Sequence, residues 1–193
     1  MAAGTAPHSD TADLRLIGEE ADGSGLLLVL AADAAQLIDL AAGSVQRLPL
    51  ALRGHTLMLL PAEPPHGEQR ALDELRRREC LEAAHRMGAE RLRDAQLQDL
   101  HLLPDALARR ARHALADNGR ALQAAEALRL GGIGLLGRLL DASHSSLRDD
   151  YEASTPAAEE AVRILKRAGA LGARLDGPQG AVVGLFAPGA LAP

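Results

Sequence analysis

Aromatic side chains are nearly missing from this chain: its 193 residues include one Tyr, one Phe and no Trp. An interior built without them must be Leu, Val, Ile and Ala, which bury less area per residue, so modest stability is expected. Cysteine occurs once, at Cys80, which excludes an internal disulfide and suits a reducing cytoplasm. Positive charge is not in excess. The net charge of −5 argues against nucleic acid or an anionic membrane as the main partner. Apolar runs are short: the longest, Leu26 to Ala32, is far below the roughly 20 residues of a membrane span. The N-terminus lacks the basic-then-apolar pattern of a secretory signal, so the expected location is cytoplasmic. The seven histidines show no H-x-x-x-H or Cys–His spacing, and no metal is assigned.

What is present is a globular balance of 47% hydrophobic and 24% charged residues, enough for one domain or one domain and a fragment. Residues 1–13 read as a frayed start. Leu26 to Leu30, Gln36 to Leu40, Ser44 to Leu48 and His55 to Leu60 are apolar runs divided by Gly, Asp and Pro, which predicts strands with tight connections. Pro61, Pro64 and Pro65 then interrupt strand pairing. From Glu68 the period becomes helical, with Leu72, Leu75, Cys80, Leu81 and Ala84 expected on the apolar face. Leu103-Pro104-Asp105 suits a helix start and Gly131-Gly132 its end. Between them Leu107, Ala111, Leu115, Leu122, Ala125 and Leu128 form a stripe, with Arg109, Arg110, Arg112 and Arg120 largely off it. Another helix is expected through Leu136, Leu139, Leu140, Ser143 and Leu147. Thr155-Pro156 suits an N-cap and first turn, with Glu159 and Glu160 at the favourable end of the helix dipole. A strand pair, Gly172 to Leu175 and Ala181 to Phe186, closes the chain. The order predicts an α+β fold.

One stretch is far more specific. Leu136 to Pro156 reads L-G-R-L-L-D-A-S-H-S-S-L-R-D-D-Y-E-A-S-T-P and resembles a segment of the galactokinases, sugar-1-kinases of the GHMP family, close to L-M-N-A-S-H-x-S-L-R-D-D-Y-E-V-S-x-P. Arg76 to Cys80 is similar to the family's R-R-x-E-C element. Arg109 to His113 with Asn118 is similar to its R-R-A-R-H…N helix, and Ala35 to Leu50 with Gly54 to Leu57 to its A-L-L-I-D…V-P-L-P…H-T-L strands. The resemblance implies the C-terminal half of a galactokinase over residues 34–187: an antiparallel sheet with packed helices, plus a truncated N-terminal remnant at 1–33 and a tail at 188–193. It also implies galactose or a related sugar as substrate, with ATP and Mg2+ as cofactors.

Leu16 to Gly25 is similar to the signature N-L-I-G-E-H-T-D-Y-N-G, which holds the sugar in that family. This makes Glu19 and Asp22 the candidate substrate-binding residues. The residues alone read equally well as an acidic, glycine-rich surface turn before a strand. Gly172 to Ala181 is similar to a shortened G-A-R-M-T-G-G-G-F-G-G-C motif, making Gly172, Gly177 and Gly180 the candidate cofactor-binding residues.

Phosphoryl transfer needs a phosphate cradle, a neutralising cation and an aligned nucleophile. The family's Gly-Ser-rich loop has no counterpart between Gly25 and Ala34. Asp13 stands where the family has its catalytic arginine, Asp73 where it has a sugar-contacting tyrosine, and Pro178 removes a backbone donor from the glycine-rich turn. No catalytic residue is assigned, and the chain alone is expected to lack kinase activity. The alternatives are a non-catalytic sugar-binding or regulatory module, and one subunit of a split kinase completed by a partner N-terminal half. A homodimer or a sticky, aggregation-prone monomer is also expected, with contacts through Leu26 to Leu30 and His55 to Leu60 and with residues 1–33 poorly anchored. His144 beside Ser143 is expected to be a packing histidine rather than part of a nucleophilic site. Cys80 is expected to be a buried thiol, and the arginine clusters solvated or ion-paired.

Overall fold

The computed structural model describes residues 14–18, 21–30, 34–50, 52–62, 67–176 and 180–191. Its strands and helices run β1 (Leu14–Ile17), β2 (Leu26–Leu30), β3 (Ala35–Asp39), β4 (Ser44–Leu48), β5 (Thr56–Pro61), α1 (Gly67–Arg86), α2 (Asp105–Leu130), α3 (Ile133–Asp149), α4 (Pro156–Arg167), β6 (Gly172–Asp176) and β7 (Ala181–Phe186). Two short 3₁₀ turns, Leu92–Asp94 and Leu97–Leu102, join α1 to α2. The strands form two antiparallel sheets, ordered β1-β2-β3-β4 and β5-β7-β6. This is the expected α+β architecture, antiparallel sheets with packed helices.

Helix α2 organises the interior. It starts after Pro104 and ends at Gly131, whose φ of 70° only glycine adopts readily. The N–H of Gly132 reaches Ala127 O at 2.7 Å and that of Gly131 reaches Leu128 O at 3.3 Å, satisfying the last carbonyls as a Schellman motif does. Its 26 residues extend about 39 Å, long enough to serve two hydrophobic clusters. The first half places Leu107, Ala111 and Ala114 with Cys80, Leu165, Leu175 and both aromatic residues, Tyr151 and Phe186. The second half places Ala121, Ala124, Ala125 and Leu128 with Leu16, Ile17, Leu28, Leu136 and Leu140. Alanine at these positions lets sheet and helices approach closely, which compensates for the scarcity of large side chains.

Three expectations need correction. In α1 the buried face is Arg76, Cys80, Ala83 and Ala84, whereas Leu72, Leu75 and Leu81 are 41%, 42% and 43% exposed. Arginine displaces leucine there because its charge meets fixed acceptors, described below. Residues 14–30 are not loosely held. β1, which had not been read as a strand, pairs with β2, and Leu16, Ile17 and Leu28 are all fully buried. β2 in turn pairs with β3, Leu30 opposite Ala35. The dimer contact expected through Leu26 to Leu30 is also withdrawn, because β2 is an inner strand whose Leu26, Leu27, Leu28 and Val29 are buried within the chain itself. Of the two strands proposed for that contact, only β5 lies at a sheet edge.

Candidate functional site

The segments picked out by their motifs converge on one corner of the molecule. Arg110, from α2, is buried, and its guanidinium is shared by three acceptors: Glu79 of α1 (Nε to Oε2, 2.8 Å), the Asp150 carbonyl (2.6 Å) and Glu152 (Oε2, 2.6 Å). Arg109 adds a second bond to Glu152 at 2.9 Å, and Arg112 reaches Asp150 at 3.1 Å. Arg76 donates to the Glu152 carbonyl and pairs with Asp73 at 2.7 Å, and its guanidinium lies 5.9 Å from the centroid of the Tyr151 ring. Glu152 holds a positive φ of 55°, a conformation that costs a non-glycine residue and persists because three arginine side chains fix it, Arg76 at its carbonyl and Arg109 and Arg110 at its carboxylate. The Arg110 bond is the main influence holding the Glu152 carboxyl below the usual range.

His113 completes this corner. It is wholly buried, its ring centroid is 4.7 Å from that of Tyr151, and its Nδ1 bonds the Ser146 hydroxyl at 2.9 Å. Burial pushes its pKa down to about 4, so it is neutral near pH 7. The arginines are thus consumed in intramolecular pairs. They leave no surplus of positive charge for an anion, and the corner locks α1, α2 and the end of α3 together.

A second polar cluster supports the signature-like turn. Asp117 of α2, 1% exposed, accepts the Gly18 N–H at 3.0 Å, the Ser143 hydroxyl at 2.7 Å and Arg120 Nε at 2.6 Å. Arg174 of β6 donates to Ser143 Oγ at 2.7 Å, to Leu175 O at 2.9 Å and to Gly18 O at 3.2 Å. Burial alone would raise the Asp117 carboxyl, but His113, Arg174, Arg120 and the Ser143 hydroxyl outweigh it and hold the pKa at about 2. Asn118 accepts the Leu26 N–H at 2.8 Å. Both ends of the turn are therefore pinned from adjacent α2 positions.

The candidate residues fare differently. Asp22, in the turn, accepts Ser24 N (3.1 Å), Ser24 Oγ (2.6 Å) and Leu92 N (2.6 Å). Those bonds occupy three of the roughly four acceptor positions of a carboxylate. Glu19 and Gly177 lie outside the described residues. Gly172 does not fit a phosphate cradle. A Cβ there would lie 1.9 Å from Gly137 O, so the absent side chain is what lets β6 pack on α3. Gly180 has a φ of 59°, and its carbonyl accepts the Ala62 N–H at 2.8 Å, tying the turn before β7 to the end of β5. The described glycines thus serve packing and turning, and no step involving ATP is derived from them.

His144 Nδ1 accepts the Leu175 N–H at 3.4 Å and Nε2 faces Glu159 at 3.0 Å, which fits an Nε2–H tautomer. Burial lowers its pKa, and it is a neutral packing group. Among the described residues no cluster of His, Cys, Asp and Glu is arranged to hold a metal ion, and no helix is long and apolar enough to cross a membrane.

Residues 124–192 match the family described as GHMP kinases C terminal. The chain is 38% identical over 146 residues to the galactokinase of Thermotoga neapolitana, covering 75% of this chain and 42% of that protein. This is a galactokinase-like chain carrying a GHMP-kinase C-terminal domain. It is also 44% identical over 108 residues to the galactokinase of Bos taurus, covering 53% of this chain and 28% of the relative. The structure of Lactococcus lactis galactokinase complexed with galactose superposes with a TM-score of 0.73 at 29% identity, over 80% of this chain and 43% of that one. The galactokinase-like chain therefore spans well under half the length of these relatives.

Sequence reasoning missed Asp117, Ser143 and Arg174 as a unit. Arg174 stood in the G-A-R motif and Asp117 beside the motif asparagine, but nothing in the sequence shows that they meet beneath Gly18.

Proposed function

We propose that this galactokinase-like chain does not transfer phosphate by itself. The family reaction it resembles is ATP-dependent phosphorylation of galactose to galactose 1-phosphate. The observation carrying the proposal is the β2–β3 hairpin. Leu30 pairs with Ala35, so the chain turns back at the point where the nucleotide-binding segment of a galactokinase would be inserted. Asp13 in place of the arginine and Gly172 committed to Gly137 support the same reading. The retained capacity is weak hydroxyl recognition at the signature-like turn, by Glu19 and the one acceptor position that the bonds to Ser24 and Leu92 leave on Asp22, which makes the chain a cytoplasmic sugar-binding or regulatory module.

A coupled assay with ATP, Mg2+ and galactose is expected to match the enzyme-free blank. Turnover that co-purifies with the chain and disappears in Asp22→Ala overturns the proposal. Calorimetric titration is expected to show weak galactose binding and no ATP binding, and tight ATP binding without a galactose response contradicts it. The second reading, one subunit of a split kinase, is favoured by the 42% coverage of the Thermotoga neapolitana relative. It requires that adding an N-terminal galactokinase half restore turnover.

A further inference from the structure

Among the described residues β5 pairs with β7 on one side and with no strand on the other. One bond shows which way each of its residues faces. Ala62, next after β5, donates its N–H to Gly180 O at 2.8 Å and so stands in a hydrogen-bonded pair. Antiparallel partners alternate between pairs that exchange bonds and pairs that exchange none. Counting back along the register, Leu60, Met58 and Thr56 direct their backbone groups to Val182, Gly184 and Phe186. Leu57, Leu59 and Pro61 turn theirs outward. Pro61 has no N–H to offer, which suits an edge. The N–H and C=O groups of Leu57 and Leu59 are thus left without a backbone partner among the described residues. The side chains around them are apolar: Leu59 is 51% and Met58 36% exposed, and no charge occurs from Leu57 to Leu60. Edges that stay single are commonly guarded by a charge or a proline within the run. Here the only such residue is Pro61, at the strand's end.

We infer that a second copy of this chain pairs with β5, strand to strand, about a two-fold axis at Met58. Antiparallel pairing on that axis sets Leu57 against the second copy's Leu59, and Leu59 against its Leu57. Every outward N–H of these residues then meets an outward carbonyl, giving four hydrogen bonds with none of these groups left over. Moving the axis to Leu59 would press the Leu57 carbonyl against the Pro61 ring and bury an acceptor with no donor, so the register is fixed at Met58. The side chains agree with it. Leu57 and Leu59 lie opposite Leu185 and Val183 of β7, both fully buried. The row from Leu185 through Leu57 continues into the second copy's Leu59 and Val183, and Met58 meets its own counterpart on the other face. The edge is its own complement, and a two-fold contact closes at two chains. The two three-stranded sheets become one of six strands. A contact of one short strand from each copy lies below the roughly 1,200 Å² of a standard interface, so the association is concentration-dependent. It does not depend on whether the chain binds sugar or transfers phosphate.

Leu59→Pro separates this contact from the fold. It removes an N–H that β7 does not use and puts the proline ring where the second copy would lie, leaving the β5–β7 ladder intact. Sedimentation equilibrium of the full chain and of the variant, from about 1 to about 500 µM, reads the association. The wild-type mass is expected to climb from one chain towards two and to stop there. The variant is expected to bind itself at least about tenfold more weakly, having lost one donor in each copy. A wild-type chain that stays single throughout, a mass that grows past two chains, or a variant that associates as well as wild type overturns the proposal. Should the variant fail to fold, amide hydrogen exchange of the wild-type chain at the two ends of that range decides it. Slower exchange of the Leu57 and Leu59 amides at high concentration, with α4 amides unchanged, supports the contact. Exchange of those two amides that is independent of concentration refutes it.

Discussion

Replacing Gly172 by Ala places a methyl group where the structure has no space for one. The added Cβ would stand 1.9 Å from Gly137 O, 2.5 Å from its carbonyl carbon and 2.7 Å from its Cα, all backbone atoms that cannot rotate away. Relief requires β6 and α3 to separate by about 1 Å, and overpacking of this kind costs about 1–3 kcal/mol. The same movement strains two bonds between these elements, Ala173 N to Asp141 at 2.9 Å and Arg174 Nε to Ser143 at 2.7 Å. Each contributes about 1 kcal/mol, so the total loss is about 3–5 kcal/mol. For a chain of this length that lowers Tm by roughly 6–20 °C, at about 2–4 °C per kcal/mol. Urea denaturation gives the free energy and a thermal melt the shift.

Gly119→Ala is the internal control. Gly119 lies inside α2 with nothing within 4 Å of the added Cβ, so alanine there should stabilise by up to about 1 kcal/mol through helix propensity. A Gly172→Ala protein within about 0.5 kcal/mol of wild type refutes the packing argument and reopens a ligand role for that glycine.

Two other substitutions probe the two polar clusters. Arg110→Ala leaves Glu79 and Glu152 without their shared buried partner and should cost about 3–5 kcal/mol in chemical denaturation, with Arg110→Lys recovering only part because one ammonium cannot serve three acceptors in fixed directions. Asp117, with its folded-state pKa lowered to about 2, contributes stability that is present above the unfolded-state value near 3.8 and is lost as pH falls towards 2; Asp117→Asn should therefore be less stable than wild type at neutral pH and converge with it in acid, and a constant difference across the titration contradicts that assignment.

Much of the fold is written in local signals. Pro104 and Gly131 bound α2, and Thr155 caps α4 by accepting the Ala158 N–H at 3.2 Å. Runs such as Ser44 to Leu48 become strands at the expected residues. Each of these depends on φ preference, capping or short-range periodicity, which neighbouring residues settle among themselves. The galactokinase resemblance was legible for the same reason, since its motifs are contiguous.

The buried face of α1 was legible only in part: Cys80 and Ala84 lie on it as expected, but Arg76 wins its place through the carbonyl of Glu152, far along the chain. β1 was missed because four residues, one of them charged, make a weak strand signal until β2 pairs with them and α2 holds Gly18. Arg110, Asp117 and Arg174 are polar residues whose sequence neighbourhoods look solvated. Their burial is set mainly by hydrogen-bond partners 26 to 156 residues away. The sequence by itself determined which segments are helix and strand and which family they resemble. Only the tertiary structure decided which charges are buried, because a buried charge is tolerated only where distant parts of the chain supply its partners.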